Sequence, residues 1–589
     1  MIDSEESGVE QTREAYRRAA GRRHLSRRTF LRRVAAAVGL GGVSYGVIEL
    51  SSAGASDRRP SSAVTGHRRR RVPPAPRPVQ LTALPGGAVV PTATWVQNEN
   101  SRPGTIDWVV TGHQVPRAIE GFADVTSAVA GSDVTLFVNT VARSFHVEAY
   151  RMGYYQGLGA RLIWTSDDVG GVEQPPPTVS PSLNTVQCSW APSLSVPIDA
   201  SWPPGSYLLK LVGDFGEQQY IPLCVRDDAS TAAFVVQHGV TTWQAYNLWG
   251  GYSLYNGLTA GGLSFGQSTA GKDFDHRSRV VSFDRPFSQD WAQGASDFIG
   301  NEFPLIFHME SLGLDVTYWT DVDLHERPEL LVRHRCLFSL GHDEYWSLQM
   351  RDAAVQGLDL GVNLGFLGAN ACYRQIRLES SPIGPNRLQV CYKSAADDPL
   401  YGVDDAVVTG PEWSAPPTSW PESQLIGSMY QDVGADADLV VADPSSWVWA
   451  GTGVAAGQKF PNVIQGEYDR FDSALPGPRN VEIAAHSPVA NRGPGRFSDM
   501  TWYTAYGGGG VFATGNASWV NKLSQTTAFP DNVVPAAIPG VTETLLRVME
   551  NVYAVLGVGL GSANQPSREN WSVVAPVSGA PGPEPTVAA

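Results

Sequence analysis

The short motifs that most often announce an enzyme are missing from this 589-residue chain. No G-x-x-x-x-G-K-[ST] loop is present to cradle a phosphate, and no G-x-G-x-x-G follows a strand-like run. Gly507–Gly510 reads as a flexible turn ahead of a strand. G-x-S-x-G is absent, and Ser339 stands before a glycine rather than at a turn, which excludes a nucleophile elbow. Without H-E-x-x-H, C-x-x-C or a Cys/His spacing, structural zinc has no support. Cysteines number only five. Cys188 and Cys224 fall in one expected β domain and form the first expected disulfide; Cys372 and Cys391 form a second, leaving Cys336 in an apolar strand.

Charge is also sparse, at 17% of residues against 42% hydrophobic, which describes a globular chain rather than a disordered one. Its sign is divided along the sequence. Residues 1–80 hold 16 Arg or Lys and 7 Asp or Glu, a net of +9, so the formal −15 of the whole leaves −24 for the rest. A body that acidic repels phosphate backbones, so no nucleic-acid partner is expected. A long hydrophobic run is lacking too. The uncharged stretch Val34–Ile48 is rich in Ala and Gly and short of the roughly 20 residues that span a bilayer.

What precedes that stretch reads as an address. Ser26-Arg27-Arg28-Thr29-Phe30-Leu31 is a twin-arginine pattern, and Ala53-Gly54-Ala55 supplies small residues in A-x-A form. The expectation is a signal peptide over 1–55, cleaved near Ala55, and an extracellular or cell-envelope protein. Residues 56–84 are Arg-, Pro- and Ser-rich and are expected to be a disordered linker, as is the tail 566–589.

Between them the hydrophobic period changes once. Over 85–228, six-residue β-prone runs such as Phe145–Tyr150 and Tyr207–Leu211 alternate with Gly and Pro turns, which predicts an antiparallel β-sandwich. Over 229–565, apolar runs at Phe234–Val236, Asp315–Trp319, Cys336–Leu340, Asn363–Leu367 and Gly510–Thr514 are interleaved with helical stretches near 302–311 and 348–360. That is the pattern of a parallel sheet with helices on both faces. The expected fold class is therefore α/β plus all-β. The N-terminal sandwich is followed by a flavodoxin-like or glutamine-amidotransferase-like α/β domain, with a loop-rich insertion at 394–500.

Ligands of such sheets bind outside the carboxyl ends of the strands. Polar residues fall at those ends here: Tyr246 and Asn247, then Asp321, Asp323 and His325, then His342, Asp343 and Glu344, then Asn370. Asp321 and Asp343 equally suit helix caps, and tyrosines at such places equally suit a core. Glu344 is a poor cap, and His342 two residues earlier can face the same pocket. A carboxylate with oxygen donors is hard-ligand chemistry, suited to iron(III), manganese or calcium.

Six motifs in order carry a resemblance. They are Trp243-Gln244-Ala245-Tyr246-Asn247, Gly250-Gly251-Tyr252-Ser253-Leu254-Tyr255, Ser282-Phe283-Asp284-Arg285-Pro286, Tyr318–Leu324, Gly341-His342-Asp343-Glu344-Tyr345-Trp346-Ser347 and Phe366–Ala371. With Arg151-Met152-Gly153-Tyr154-Tyr155, they resemble the N,N-dimethylformamidase large (beta) subunit family over roughly residues 100–560. The resemblance implies a mononuclear non-haem Fe(III) held by Tyr246, Tyr255 and Glu344, with Tyr252 competing with Tyr255 for its place. It implies His342 as an acid/base or orienting residue, Asn370 as a pocket donor, and hydrolysis of a small amide or formamide. It also implies a small helical partner subunit; a homo-oligomer and cell-envelope association are the other partners considered. The alternative is a glycan-directed protein, either binding polysaccharide or cleaving it without metal through Glu344 with Asp321 or Asp323. Glu467 is a further candidate to reach the same pocket.

Overall fold

The computed structural model describes residues 79–111, 115–525 and 534–575. The twin-arginine segment, the cleavage point at Ala55, the linker up to 78 and the tail beyond 575 lie outside the described residues. Gln80–Ala83, at the end of the expected linker, pairs antiparallel with Val89–Thr92. The turn between them is closed by Gly87 N–H donating to the Leu84 carbonyl at 2.8 Å.

The β-prone runs that follow build two sheets. One has three antiparallel strands, Leu194–Ile198, Ser132–Thr140 and Ile119–Ala123. The other runs Ser127–Val129, Gln218–Arg226, Gly205–Gly213, Ser144–Met152 and Ala160–Thr165, with Val169–Gly170 on its flank. Strand side chains alternate between faces. Val134, Leu136 and Val138 of the first sheet thus share one core with Val147, Ala149, Leu209 and Leu211 of the second.

The rest of the chain is mixed α/β. Its elements are β1 (Phe234–His238), α1 (Val240–Tyr246), α2 (Phe303–Ser311), β2 (Val316–Thr320), α3 (Asp321–Glu326), β3 (Cys336–Gly341), α4 (Leu348–Asp359), β4 (Asn363–Gly368), β5 (Glu482–Pro488), β6 (Phe497–Thr504), β7 (Gly510–Ala513) and α5 (Val541–Val558). The sheet order is β2-β1-β3-β4-β7-β6-β5, parallel from β2 to β7 and antiparallel beyond. Both faces are covered, so the parallel strands read as continuous apolar runs. Phe234, Val236 and Phe338 pack with α2 and α5 on one side, while Val235, Leu337 and Leu364 pack with α4 on the other.

The stretch expected to be loop-rich holds more structure than its composition suggests. Met429–Val440 and Lys459–Arg470 form a long antiparallel pair, and β5 and β6 extend the main sheet. Register shifts at Tyr430/Asp432, Asp432/Ala435 and Ala437/Leu439 break the period-two pattern there, which hides the strands from a periodicity reading. All five cysteines are free and buried, which corrects both expected disulfides. Cys188 packs with Phe122, Trp190 and Trp249, whereas Cys224 lies in the core against α2 and α5; Cys372 and Cys391 likewise occupy separate clusters. A disulfide needs Cα atoms roughly 4.4–6.8 Å apart, which residues in different cores do not offer. Burial pushes the Cys372 thiol up to about 12, as befits a small apolar filler.

A buried ion pair ties the N-terminal sheets to the α/β part. Arg151 donates to both carboxylate oxygens of Glu310, at 2.6 and 2.9 Å, and neither side chain is exposed. Tyr318 Oη and Asn100 Nδ2 also donate to Glu310, at 2.6 and 2.9 Å. Removing one partner leaves an uncompensated buried charge. Arg151→Met is expected to destabilise by about 3–5 kcal/mol, read as a lowered denaturant midpoint; an unchanged midpoint would refute the strut.

Burial also pushes His308 down to about 3 and His334 to about 4. Both stay neutral in the folded chain while the unfolded chain protonates below its ordinary 6.5. Stability is therefore expected to fall as pH drops from about 6.5 towards 4. In a urea titration His308→Gln should flatten that slope, and an equal slope in both proteins would count against it.

Candidate metal centre

Two glycines let the strand ends of β3 and β4 come together. A Cβ on Gly368 would lie 1.5 Å from the Gly341 carbonyl oxygen, and Gly341 itself has φ +55°, a conformation that glycine adopts without strain. Beyond them, residues 342–344 are stapled on both sides. Thr242 Oγ1 on α1 accepts from the Glu344 N–H at 2.9 Å, and the Glu344 carbonyl accepts from the N–H groups of Tyr373 and Arg374, both at 2.9 Å. The Asp343 carbonyl takes the Cys372 N–H at 2.9 Å. The loop therefore has little freedom to move Glu344.

The two tyrosines reach it from α1 and the turn after it. Tyr246 is the last residue of α1. Tyr255 is fixed by the Leu254 N–H donating to the Ala245 carbonyl at 2.9 Å. Tyr246 Oη lies 2.7 Å from Glu344 Oε2, Tyr255 Oη lies 2.6 Å from Glu344 Oε1, and the two phenol oxygens are 2.9 Å apart. Their rings stack with centroids 4.5 Å apart. Tyr252, the competing position, is buried with Phe122, Trp190 and Trp249 instead. Burial first, then the negative Glu344, raises both phenols well above 10, so in this arrangement they carry protons and donate to the carboxylate.

Positive groups ring the same carboxylate. His342 Nε2 is 3.3 Å from Glu344 Oε2 and 2.7 Å from Glu467 Oε2. Burial alone would lower its pKa, but the carboxylates of Glu467 and Glu344 outweigh burial and raise it well above 6.5. Arg374 Nε is 3.6 Å from Glu344 Oε1. Burial would push Glu344 up, and the imidazolium, Lys393 and Arg374 together hold it below the ordinary carboxylate range. Lys393 Nζ sits 3.0 Å from the centre of the Tyr255 ring; burial first, then the neighbouring Arg374, pushes its own pKa well below the usual 10.5. Asn370, at φ +55°, donates its backbone N–H to Asp469 at 2.8 Å, and its side chain is 3.5 Å from His342 Nε2.

Other strand-end residues do other work. Thr320 and Asp323 form a capping box at α3, and Asp323 pairs with Arg226 at 2.8 Å. Asp321 Oδ2 accepts from the Thr241 N–H at 3.0 Å, and His325 meets Ser347 at 2.8 Å. Asp323 has both oxygens engaged, Asp321 is wholly buried with Oδ1 meeting no partner among the described residues, and neither lines the cavity in front of the tyrosines. A Ser–His–carboxylate chain is present elsewhere, with Ser206 Oγ 2.8 Å from His238 Nε2 and His238 Nδ1 2.5 Å from Glu302. It is buried beside a cavity of about 50 Å³, too small for a substrate, and it joins the strand Gly205–Gly213 to β1.

Sequence reading missed Lys393, Arg374 and Thr242, which belong to no motif that it had singled out. Their only trace is a cation placed among apolar residues, as in Val390-Cys391-Tyr392-Lys393. Among the described residues no group of three or more His, Cys, Asp or Glu is placed to hold a metal ion, so a metal here has to draw on the phenols. The donor set suits one: two phenol oxygens 2.9 Å apart each meet one of the two Glu344 carboxylate oxygens, at 2.7 and 2.6 Å, and a hard trivalent cation prefers such donors.

Comparison with known proteins finds a family match over the stretch that holds these residues. The family described as N,N-dimethylformamidase beta subunit-like, C-terminal, matches residues 146–532. The chain belongs to that family. A search of curated proteins finds no match. Among solved structures, one similar chain is a Paenibacillus sp. cycloisomaltooligosaccharide glucanotransferase complexed with cycloisomaltoheptaose. It is 8% identical over 67% of this chain and 68% of that one, at a TM-score of 0.15, and carries no argument. Membership in the formamidase-like family points to a hydrolase.

Arg285 holds the segment between the two tyrosines. It is 1% exposed and donates to the carbonyls of Asn247, Trp249 and Tyr252 at 2.9–3.0 Å and to Gln244 Oε1 at 3.1 Å. Arg285→Met should strand these buried acceptors and cost on the order of 3 kcal/mol. Limited proteolysis should then cut within 247–256, and a segment as resistant as in wild type would contradict the assignment.

Proposed function

We propose that this chain is an exported iron(III)-dependent amidohydrolase that cleaves the C–N bond of an amide or formamide. The reading rests on one observation above all: the oxygens of Tyr246, Tyr255 and Glu344 converge within 2.6–2.9 Å. Those three residues would hold the metal, exchanging the two phenolic protons for it. Iron(III) there would supply Lewis acidity, polarising a carbonyl and lowering the pKa of a water.

The remaining chemistry belongs to the chain. His342, kept protonated between Glu467 and Glu344, is the group placed to deliver a proton to the departing nitrogen. Glu467 fixes that imidazole at 2.7 Å from Nε2, a geometry the tyrosine–glutamate corner does not itself provide. Asn370 is held rigid through its backbone bond to Asp469, so its side-chain amide can donate to the oxyanion as it forms. Glycan cleavage through Asp321 or Asp323 finds no support in their partners described above.

The order β2-β1-β3-β4-β7 supports reading the parallel strands as a flavodoxin-like arrangement, with the site at their carboxyl ends. The family's name, a beta subunit, further implies a partner subunit in the working enzyme, here a small helical one. Metal analysis of purified protein is expected to give iron near one per chain and a visible phenolate-to-iron band. Tyr246→Phe should remove most of that band and lower kcat/KM at least about 100-fold. Metal-free protein that still hydrolyses amides at the full rate would sink the reading.

A further inference from the structure

The cavity in front of the tyrosines is lined by far more than the groups that surround Glu344. Its volume is about 830 Å³, within the roughly 300–1,000 Å³ typical of sites for drug-sized ligands. A water occupies only ~30 Å³, so a molecule as small as dimethylformamide would leave most of this space to solvent. Tyr246, Tyr255, His342 and Glu467 line the cavity, and Glu344 does not. His342 and both phenols thus face the same open volume, with the Glu344 carboxylate behind them. An amide whose carbonyl meets the phenols and whose nitrogen lies beside His342 has this open volume for its larger substituent.

The chemistry of the far wall selects among amines that could fill it. Gln267, Thr269, Asn256, Gln465 and Ser518 are uncharged hydrogen-bonding groups, and Trp291 and Phe274 add aromatic faces. Gln267 Oε1 accepts from the Leu248 N–H at 2.9 Å, and Gln465 Oε1 accepts from Lys522 Nζ at 2.6 Å. Each amide is thereby oriented with its Nε2 as the end left for a ligand. The charged groups on the wall are already engaged. Lys272 donates to the Ser268 carbonyl, and Asp273 pairs with His276 at 2.7 Å. Asp297 accepts from Asn301 at 2.7 Å, and burial raises it to about 6. Such a wall offers little to an ionic ligand. It suits a neutral body with several hydroxyls on one face and C–H groups on the other, because hydroxyls pair with amides and C–H faces lie on aromatic rings.

We propose that the substrate is a small acyl group, formyl or acetyl, on the nitrogen of an amino sugar of one or two units. This rests on the amidohydrolase reading above and names its substrate class. Water adds to the carbonyl carbon, the C–N bond breaks, and the His342 proton goes to nitrogen. The products are the free amino sugar and formate or acetate, and no oxidant or reductant enters.

The test uses the full chain loaded with iron(III). N-formylglucosamine and N-acetylglucosamine are compared with dimethylformamide and with N-formylalanine, an ionic amide. Release of amine is followed for each, and N-acetylglucosamine binding to the metal-free chain is measured separately by calorimetry. The expected result is a kcat/KM for an N-acyl amino sugar at least about 100-fold above that for dimethylformamide. In Gln267→Ala that ratio should fall about tenfold, the scale of one hydrogen bond to substrate. Dimethylformamide or N-formylalanine turned over as well as the sugars would overturn the proposal. If no amide is hydrolysed, the amidohydrolase reading fails by itself. Sugar binding weakened about tenfold in Gln267→Ala would then still support the sugar site, and absence of sugar binding would overturn it.

Discussion

The site is organised by one constraint, the burial of the Glu344 carboxylate. A carboxylate with no solvent around it is costly unless every lone pair is matched. Here two phenols, an imidazolium, a guanidinium and a lysine answer one side chain. Each of these partners must itself be fixed, and that requirement spreads outward. Thr242 holds the Glu344 backbone, the Leu254–Ala245 bond holds the turn bearing Tyr255, and Arg285 holds the segment between the tyrosines.

The parallel sheet supplies the frame in which those fixings converge. β1 leads into α1 and Tyr246, while its neighbour β3 leads into His342 and Glu344, so adjacency in the sheet brings Tyr246 to Glu344 across 98 residues of sequence. β4 adds Asn370 from the next strand, and the long hairpin Met429–Val440/Lys459–Arg470 brings Glu467 over the top. Such sites tolerate changes in chemistry because the strands fix positions while the loops fix identities.

Much of this was legible in sequence because the physics was local. Parallel strands buried on both faces give unbroken apolar runs, and Phe234–Val236 and Cys336–Leu340 show them. Glycines forced by the contact between Gly341 and Gly368 mark where the strands stop. What escaped was non-local. Lys393 and Arg374 acquire a role only through the fold, since nothing in their sequence neighbours announces the Tyr255 ring under Lys393 or the Glu344 carboxylate beside Arg374. The hairpin carrying Glu467 was hidden by bulges that erase alternation. The disulfides failed for a related reason: cysteine number and compartment suggest pairing, but only packing decides whether two thiols share a core.

The two halves of the cavity obey opposite electrostatics, and that contrast bears on how the site works. Near Glu344, charges are dense, mutually compensated and withdrawn from water, which is where differential stabilisation of a transition state is strongest. Along the far wall, the charged groups are tied to the chain and the remaining groups are neutral. In the proposed reaction, binding energy gathered there would be indifferent to charge developing at the carbonyl, so it would serve to place the substrate rather than to accelerate the step. His342 belongs to both regions, touching Glu344 and Glu467 while lining the cavity. In the proposed reaction its protonation would be set by the dense corner and its target by the neutral wall, and it would be the residue through which substrate placement is converted into bond cleavage.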